Sequence, residues 1–212
     1  LGSLLLLDTV TSLGGVPIFL DDWGVDLAYS CSQKGLGCSP GASPFTMSPR
    51  AIEKLQRRAN KVPNWYLDMG LLGKYWGPER IYHHTAPINL YYGLREALRL
   101  VAEEGLTNCW QRHQKNVEYL WQQLEAIGLS LHVEKTYRLP TLTTACIPEG
   151  VDGKAVARQL LETHNIEVGG GLGELAGKVW RIGLMGYNSR LESVDLLIEA
   201  LKQVLPKPFG LK

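Results

Sequence analysis

The stretch Leu4-Leu5-Leu6-Leu7-Asp8 is an apolar run that ends on an acid and is followed by turn-forming residues. It is too short for a secretory signal or a membrane span. An apolar run of this length is typical of a strand buried on both faces of a parallel sheet. We therefore predict that an α/β sheet begins here. Because residue 1 is Leu rather than Met, and a buried strand needs neighbours, we expect the chain to start in the middle of a domain.

The pattern beyond this run divides into two parts. The first part predicts strands over residues 25–29 and 44–47, a helix opened by Ser48 and Pro49, a short helix before residue 76, and a helix over 88–104. After a helix over 107–127, the pattern of predicted elements changes to short strands and helices typical of an α+β domain. This second part predicts strands over 129–133, 141–146, 166–168 and 179–183, and helices over 153–164 and 191–205. We predict a large-domain part over residues 1–105 and a small domain over 106–212.

Composition indicates a globular protein without a strongly charged partner. The chain has 212 residues, 45% hydrophobic and 20% charged, with a formal net charge of +1. No nucleic acid or membrane partner is therefore expected. The four cysteines have no framework spacing, which favours reduced thiols.

Three charged residues stand where chemistry could occur. Asp8 follows a strand whose carboxyl end would face a ligand crevice, although a helix cap or turn is the commoner role for such an Asp. Lys34 lies in a run of small residues after the next strand, where a desolvated amine could form a Schiff base; a surface lysine is the alternative. Arg181 interrupts an apolar strand. Its guanidinium could bind a substrate carboxylate; a side chain on the solvent face of the strand is the alternative.

Four short motifs carry a family resemblance. Asp8-Thr9-Val10, Ser32-Gln33-Lys34 with a following Pro-Gly pair, Tyr82-His83-His84-Thr85-Ala86-Pro87 and Arg181-Ile182-Gly183 occur in this order. Together they closely resemble class V aminotransferases of fold type I. The resemblance covers the chain from residue 4 to about residue 205. It implies an α/β fold, namely part of a large, mainly parallel domain followed by a small α+β domain.

The resemblance also implies an activity, a cofactor and roles for single residues. Pyridoxal 5'-phosphate would be the cofactor, and alanine or serine would pass its amino group to glyoxylate by a ping-pong reaction. Lys34 would form the Schiff base and move the proton, with Asp8 at the pyridine nitrogen. Val10 would pack on the ring and Gln33 would line the pocket. Arg181 would bind the substrate carboxylate.

The remaining implications concern the partner and the location. Tyr82 and Thr85 would donate hydroxyls to the cofactor phosphate of the other subunit of a homodimer. Peroxisomal location, with mitochondria as the alternative, rests on resemblance alone, since Gly210-Leu211-Lys212 matches a peroxisomal signal poorly. A 3-hydroxykynurenine transaminase of the same family and a catalytically incompetent truncated product are the alternative functions.

Three other features receive weaker interpretations. Adjacent histidines in an extended segment point in opposite directions, so we do not expect His83 and His84 to bind a metal. We interpret residues 169–173, which are rich in glycine, as a mobile loop at the entrance to the site. Cys31 lies inside the lysine motif, which argues against a separate nucleophile.

Overall fold

The structure is a computed structural model and describes residues 2–206, in which two separate three-stranded sheets are present. The first sheet contains β1 (Leu6–Asp8), β2 (Leu27–Tyr29) and β3 (Phe45–Met47), in that order. β1 and β2 run parallel, and β3 pairs antiparallel with β2. All three predicted strands of this part are therefore present, and the sheet is mixed.

The leucine run departs from the prediction in its burial. Leu5 is 50% exposed and Leu6 is 56% exposed. β1 is an edge strand, and within residues 2–206 no further strand pairs with its outer side. The prediction that the run is buried on both faces is therefore wrong for the described part of the chain.

The buried carboxylate of Asp26 links the first sheet to the following helix through hydrogen bonds and an ion pair. Asp26 is 3% exposed and accepts hydrogen bonds from the Leu5 N–H at 2.8 Å and the Ser48 hydroxyl at 3.0 Å. It also pairs with the Arg50 guanidinium. This pairing holds the pKa of Asp26 far below its usual range, with the Leu5 N–H as the next cause. Ser48 caps the helix by accepting from the Ala51 N–H, as the sequence predicted.

Four helices cover the middle of the chain, close to the predicted positions. They are α1 (Pro49–Gln56), α2 (Met69–Trp76), α3 (Ile88–Glu104) and α4 (Leu106–Ala126). Apolar spacing predicted the two long helices, α3 and α4. The Ser48-Pro49 start signal predicted α1.

The second sheet is wholly antiparallel. Its strands are β4 (Leu142–Cys146), β5 (Gly169–Gly170) and β6 (Val179–Gly183), with β6 in the centre. Two helices accompany it, α5 (Gly153–His164) and α6 (Leu191–Val204). The predicted strand over 129–133 is reduced to one bridge at Leu131. The predicted strand over 166–168 is absent, because Asn165 ends α5 in a left-handed conformation and the chain pairs with β6 only from Gly169.

The main core lies between this sheet and the helices α4, α5 and α6. Leu120, Leu124, Leu160 and Val194 are all at most 1% exposed. Each such side chain contributes about 2 kcal/mol by leaving water. No described helix is long and apolar enough to cross a membrane. The domain boundary at residue 106 stays a prediction, and the tripeptide 210–212 lies outside the described residues.

Candidate active site

Asp8 and Tyr29 form the end of the parallel strand pair. They lie side by side in the register of β1 and β2, at the carboxyl ends of both strands. The Tyr29 hydroxyl donates to Asp8 Oδ2 at 2.7 Å, and the Val10 N–H donates to Asp8 Oδ1 at 2.8 Å. The phenol hydrogen bond and then the Val10 N–H lower the pKa of Asp8, against a small opposing effect of burial. An exposed carboxylate, ionised at neutral pH, therefore stands at the carboxyl ends of β1 and β2.

The strand ends are fixed by further hydrogen bonds. The Thr9 N–H and hydroxyl both donate to the Tyr29 carbonyl, at 2.9 and 2.7 Å. The Ser30 hydroxyl donates back to the Thr9 carbonyl at 3.0 Å. Val10 follows in the same segment and is half-buried. These contacts leave the backbone around Asp8 little freedom.

The loop that carries Lys34 is closed by a buried serine. Ser32 is fully buried; its N–H donates to the Ala42 carbonyl at 2.9 Å and its hydroxyl to the Ser39 carbonyl at 2.6 Å. Gln33 is exposed and Lys34 is half-buried. Within residues 2–206, no carboxylate forms an ion pair with the Lys34 amine. The amine is therefore available to a ligand.

The Lys34 loop also packs tightly against the segment that follows Asp8. A Cβ on Gly35 would stand 2.2 Å from the Leu13 carbonyl oxygen, which is closer than any side chain could approach. Glycine is required here by close approach of two backbones. This contact joins the Asp8 segment and the Lys34 loop into one packed unit.

Arg181 lies in the centre of the second sheet. Its Nε donates to the Gly170 carbonyl at 2.7 Å, and its guanidinium lies against Gly169. No described carboxylate pairs with it. The interpretation of residues 169–173 as a loop is wrong for Gly169 and Gly170, since they form β5 and pair with β6.

Tyr82 and Thr85 lie in a separate region, the aromatic cluster. The rings of this cluster are those of Trp65, Tyr66, Tyr75, Trp76, Tyr82, His83 and His84. The hydroxyl oxygens of Tyr82 and Thr85 are 2.8 Å apart, and Tyr82 is 72% exposed. In the same segment, His83 stacks on Trp65 with ring centroids 4.0 Å apart. The expectation that His83 and His84 point in opposite directions is wrong, because the chain bends at His84 and brings their Nδ1 atoms to 2.9 Å. No group of three metal-ligating side chains occurs in the described part of the chain.

A segment missed by sequence reasoning links the two sheets. Residues 184–189 follow β6 and reach the Lys34 loop, since a Cβ on Gly186 would lie 3.3 Å from Gly37 and 3.4 Å from the Gly35 carbonyl. α4 holds this segment through His113, which is fully buried and whose Nε2 accepts from the Gly186 N–H at 3.1 Å. The Arg112 guanidinium donates to the carbonyls of Gly186 and Ser189.

The structure thus brings some predicted residues together and leaves others apart. Asp8, Val10 and the Lys34 loop form one packed unit, and Arg181 is connected to it through residues 184–189. The Tyr82–Thr85 pair belongs to the aromatic cluster instead. A cleft of about 750 Å³ between α1 and α2 is lined by none of the predicted site residues.

Comparison with known protein families gives a match over most of the sequence. The model of the family described as aminotransferase class V matches residues 1–197. The chain belongs to the class V aminotransferase family. Among solved structures, an alanine–glyoxylate aminotransferase from Nostoc sp. is 85% identical, with a TM-score of 0.95, over 97% of this chain and 54% of that one. Fold type I is therefore confirmed for this class V chain.

Curated relatives give the same family. Alanine–glyoxylate aminotransferase of Callithrix jacchus is 46% identical over 206 residues, which cover 95% of this class V chain and 50% of that protein. (S)-ureidoglycine–glyoxylate transaminase of Bacillus subtilis is 34% identical over 96% of the chain and 53% of that protein. The chain spans about half the length of the curated relatives it matches.

Class V aminotransferases depend on pyridoxal phosphate, and the residues of this chain fit that group. An ionised carboxylate without a cationic partner among residues 2–206 suits a protonated ring nitrogen. A lysine amine without an ion-pair partner, held on a packed loop, is suited to form a Schiff base with the aldehyde of the cofactor. Both groups that the chemistry needs, the carboxylate and the amine, therefore follow neighbouring strands of the first sheet.

Proposed function

We propose that the protein transfers the amino group of alanine or serine to glyoxylate, giving pyruvate or hydroxypyruvate and glycine. The observation that carries the proposal is that Asp8 and Lys34 follow two neighbouring parallel strands and lie in one packed unit. Glyoxylate is supported as the acceptor because two relatives with different donors, alanine and (S)-ureidoglycine, both carry glyoxylate in their names.

Each site residue has a task in this reaction. When bound, pyridoxal phosphate supplies an aldehyde and an electron-withdrawing ring. Asp8 would hold the ring nitrogen protonated, Val10 would pack on the ring, and Gln33 would line the pocket. Lys34 Nζ would hold the cofactor aldehyde between turnovers and would carry the proton that leaves the substrate α-carbon. The Arg181 guanidinium, whose Nη atoms donate to no described partner, would bind the substrate carboxylate.

The test combines cofactor attachment with turnover. We expect the whole protein mixed with pyridoxal phosphate to show a visible absorption band that borohydride removes, leaving the pyridoxyl group on the Lys34 peptide. With alanine and glyoxylate, glycine and pyruvate should appear in equal amounts. A protein that binds the cofactor but takes the amino group from 3-hydroxykynurenine, and not from alanine or serine, would contradict the proposed substrates. Absence of the band would contradict the proposed reaction type.

We further infer that a second copy of the chain covers the aromatic cluster. Trp65, Tyr66, Trp76 and Tyr82 are all more than half exposed, although they are large and lie in contact with other rings. Exposed aromatic patches of this kind are typical of protein interfaces. The adjacent hydroxyls of Tyr82 and Thr85 would then reach the cofactor phosphate of the other subunit.

Subunit mixing tests this inference. We consider a dimer of one Lys34→Ala subunit and one Tyr82→Phe/Thr85→Val subunit. This dimer has one intact site if the hydroxyls act on the cofactor of the other subunit. Random pairing of two such inactive or weakened variants should then restore about a quarter of the wild-type activity. If the hydroxyls serve their own subunit, mixing restores nothing. A monomer by light scattering would also contradict the inference.

A further inference from the structure

Asp8 depends on one side chain that the family motifs do not contain. Among residues 2–206, Tyr29 is the only side chain that donates a hydrogen bond to this carboxylate, at 2.7 Å. The other donor is the backbone N–H of Val10. No described Lys, Arg or His pairs with it. The phenol therefore acts together with the Val10 N–H to fix the rotation of the carboxylate and to stabilise its charge.

The strand register explains why this residue can do so. Parallel pairing places Asp8 beside Tyr29, and side chains at paired positions leave the sheet on the same face. The Thr9 N–H and hydroxyl both donate to the Tyr29 carbonyl, so the backbone from which the Tyr29 side chain extends is fixed. Each carboxylate oxygen has one donor, which leaves lone pairs free for a ligand N–H.

We propose that Tyr29 is a positioning residue for the cofactor: its hydroxyl holds the Asp8 carboxylate, ionised and in one orientation, for the ring nitrogen of pyridoxal phosphate. The proposal rests on the proposed function. A neutral donor suits this task better than a cation, because it stabilises the anion without cancelling the charge that the ring nitrogen needs. The contact is also reciprocal, since the carboxylate raises the pKa of Tyr29.

Titration of the cofactor-free whole protein tests the contact directly. Tyr29→Phe keeps the ring and removes only the hydroxyl, so the pKa of Asp8, followed by carboxyl carbon NMR, should rise. Asp8→Asn should in turn lower the pKa of Tyr29, followed by tyrosinate absorption. The matched control is Tyr119→Phe, which breaks a second tyrosine–aspartate hydrogen bond of 2.7 Å, to Asp195, and should leave the pKa of Asp8 unchanged.

Cofactor binding tests the role. Tyr29→Phe should weaken binding of pyridoxal phosphate by about 10-fold, the loss expected for one hydrogen bond to a charged group, and should move the acidic limb of binding to higher pH. An unchanged pKa of Asp8 would overturn the contact. A raised pKa with unchanged cofactor affinity would overturn the positioning role. If wild-type protein binds no pyridoxal phosphate, the proposed function itself fails, whatever the two titrations give.

Discussion

Replacing Lys34 by alanine is expected to lower transamination by at least about 1,000-fold, the scale of a lost proton-transfer group. The amine lies half-buried on a loop whose backbone is fixed by Ser32 and Gly35. Because it has no described carboxylate partner, no local ion pair competes with its reaction. The measurement is glycine formation from alanine and glyoxylate with pyridoxal phosphate in excess.

Two further variants separate the chemistry of Lys34 from its charge. Lys34→Arg keeps a positive charge but offers no nucleophilic amine, so it should be as inactive as Lys34→Ala. Lys154→Ala removes an exposed lysine on α5 and should retain full activity. If Lys34→Arg keeps substantial activity, or if Lys34→Ala loses less than about 10-fold, the amine does not carry the proton transfer.

The helices and the positions of Asp8 and Lys34 could be predicted because they depend on local signals. The helix over 88–104 follows from apolar spacing, and its bounds agree with α3. Asp8 and Lys34 were singled out because each follows an apolar strand. In both cases the information lies within a few residues of the feature.

Features that depend on register or on distant packing could not be predicted. Tyr29 lies beside Asp8 only because β1 pairs in parallel with β2 at that offset, and spacing of 21 residues carries no signal by itself. The exposure of Leu5 and Leu6 depends on which strand covers the edge. His113 offered a faint signal, a lone histidine in a long amphipathic helix, but its partner Gly186 is far away in sequence.

His113 is expected to contribute strongly to stability. His113→Ala should lower the free energy of unfolding by about 3 kcal/mol, because it leaves a cavity in a packed site and an unpaired Gly186 N–H. The imidazole is fully buried, with Nδ1 donating to the Cys109 carbonyl at 2.7 Å. Denaturant unfolding of the whole protein measures the loss. His132→Ala, at an exposed position, should stay within about 0.5 kcal/mol of wild type.

The effect of His113 should also depend on pH, with a sign that follows from its hydrogen bonds. Nε2 accepts from Gly186 and Nδ1 donates to Cys109, so the buried ring is neutral. Burial lowers the pKa of His113, and the nearby Arg112 acts in the same direction, against the Cys109 carbonyl and Glu104. Unfolding exposes a histidine with a pKa of about 6.5, so acid favours the unfolded chain.

The stability that the neutral ring contributes is therefore complete above about pH 6.5 and falls as the pH decreases toward the lowered value. His113→Gln lacks this titration but keeps an amide in the site, and it gives a variant to compare if His113→Ala does not fold. The difference in unfolding free energy between wild type and His113→Gln should be smaller at about pH 5.5 than at about pH 8. Other groups titrate in both proteins and cancel in the difference.

A difference that grows in acid would mean that the ring is charged in the folded protein. It would then have to donate toward Gly186, and the link from α4 through residues 184–189 to the Lys34 loop would not exist in the form described.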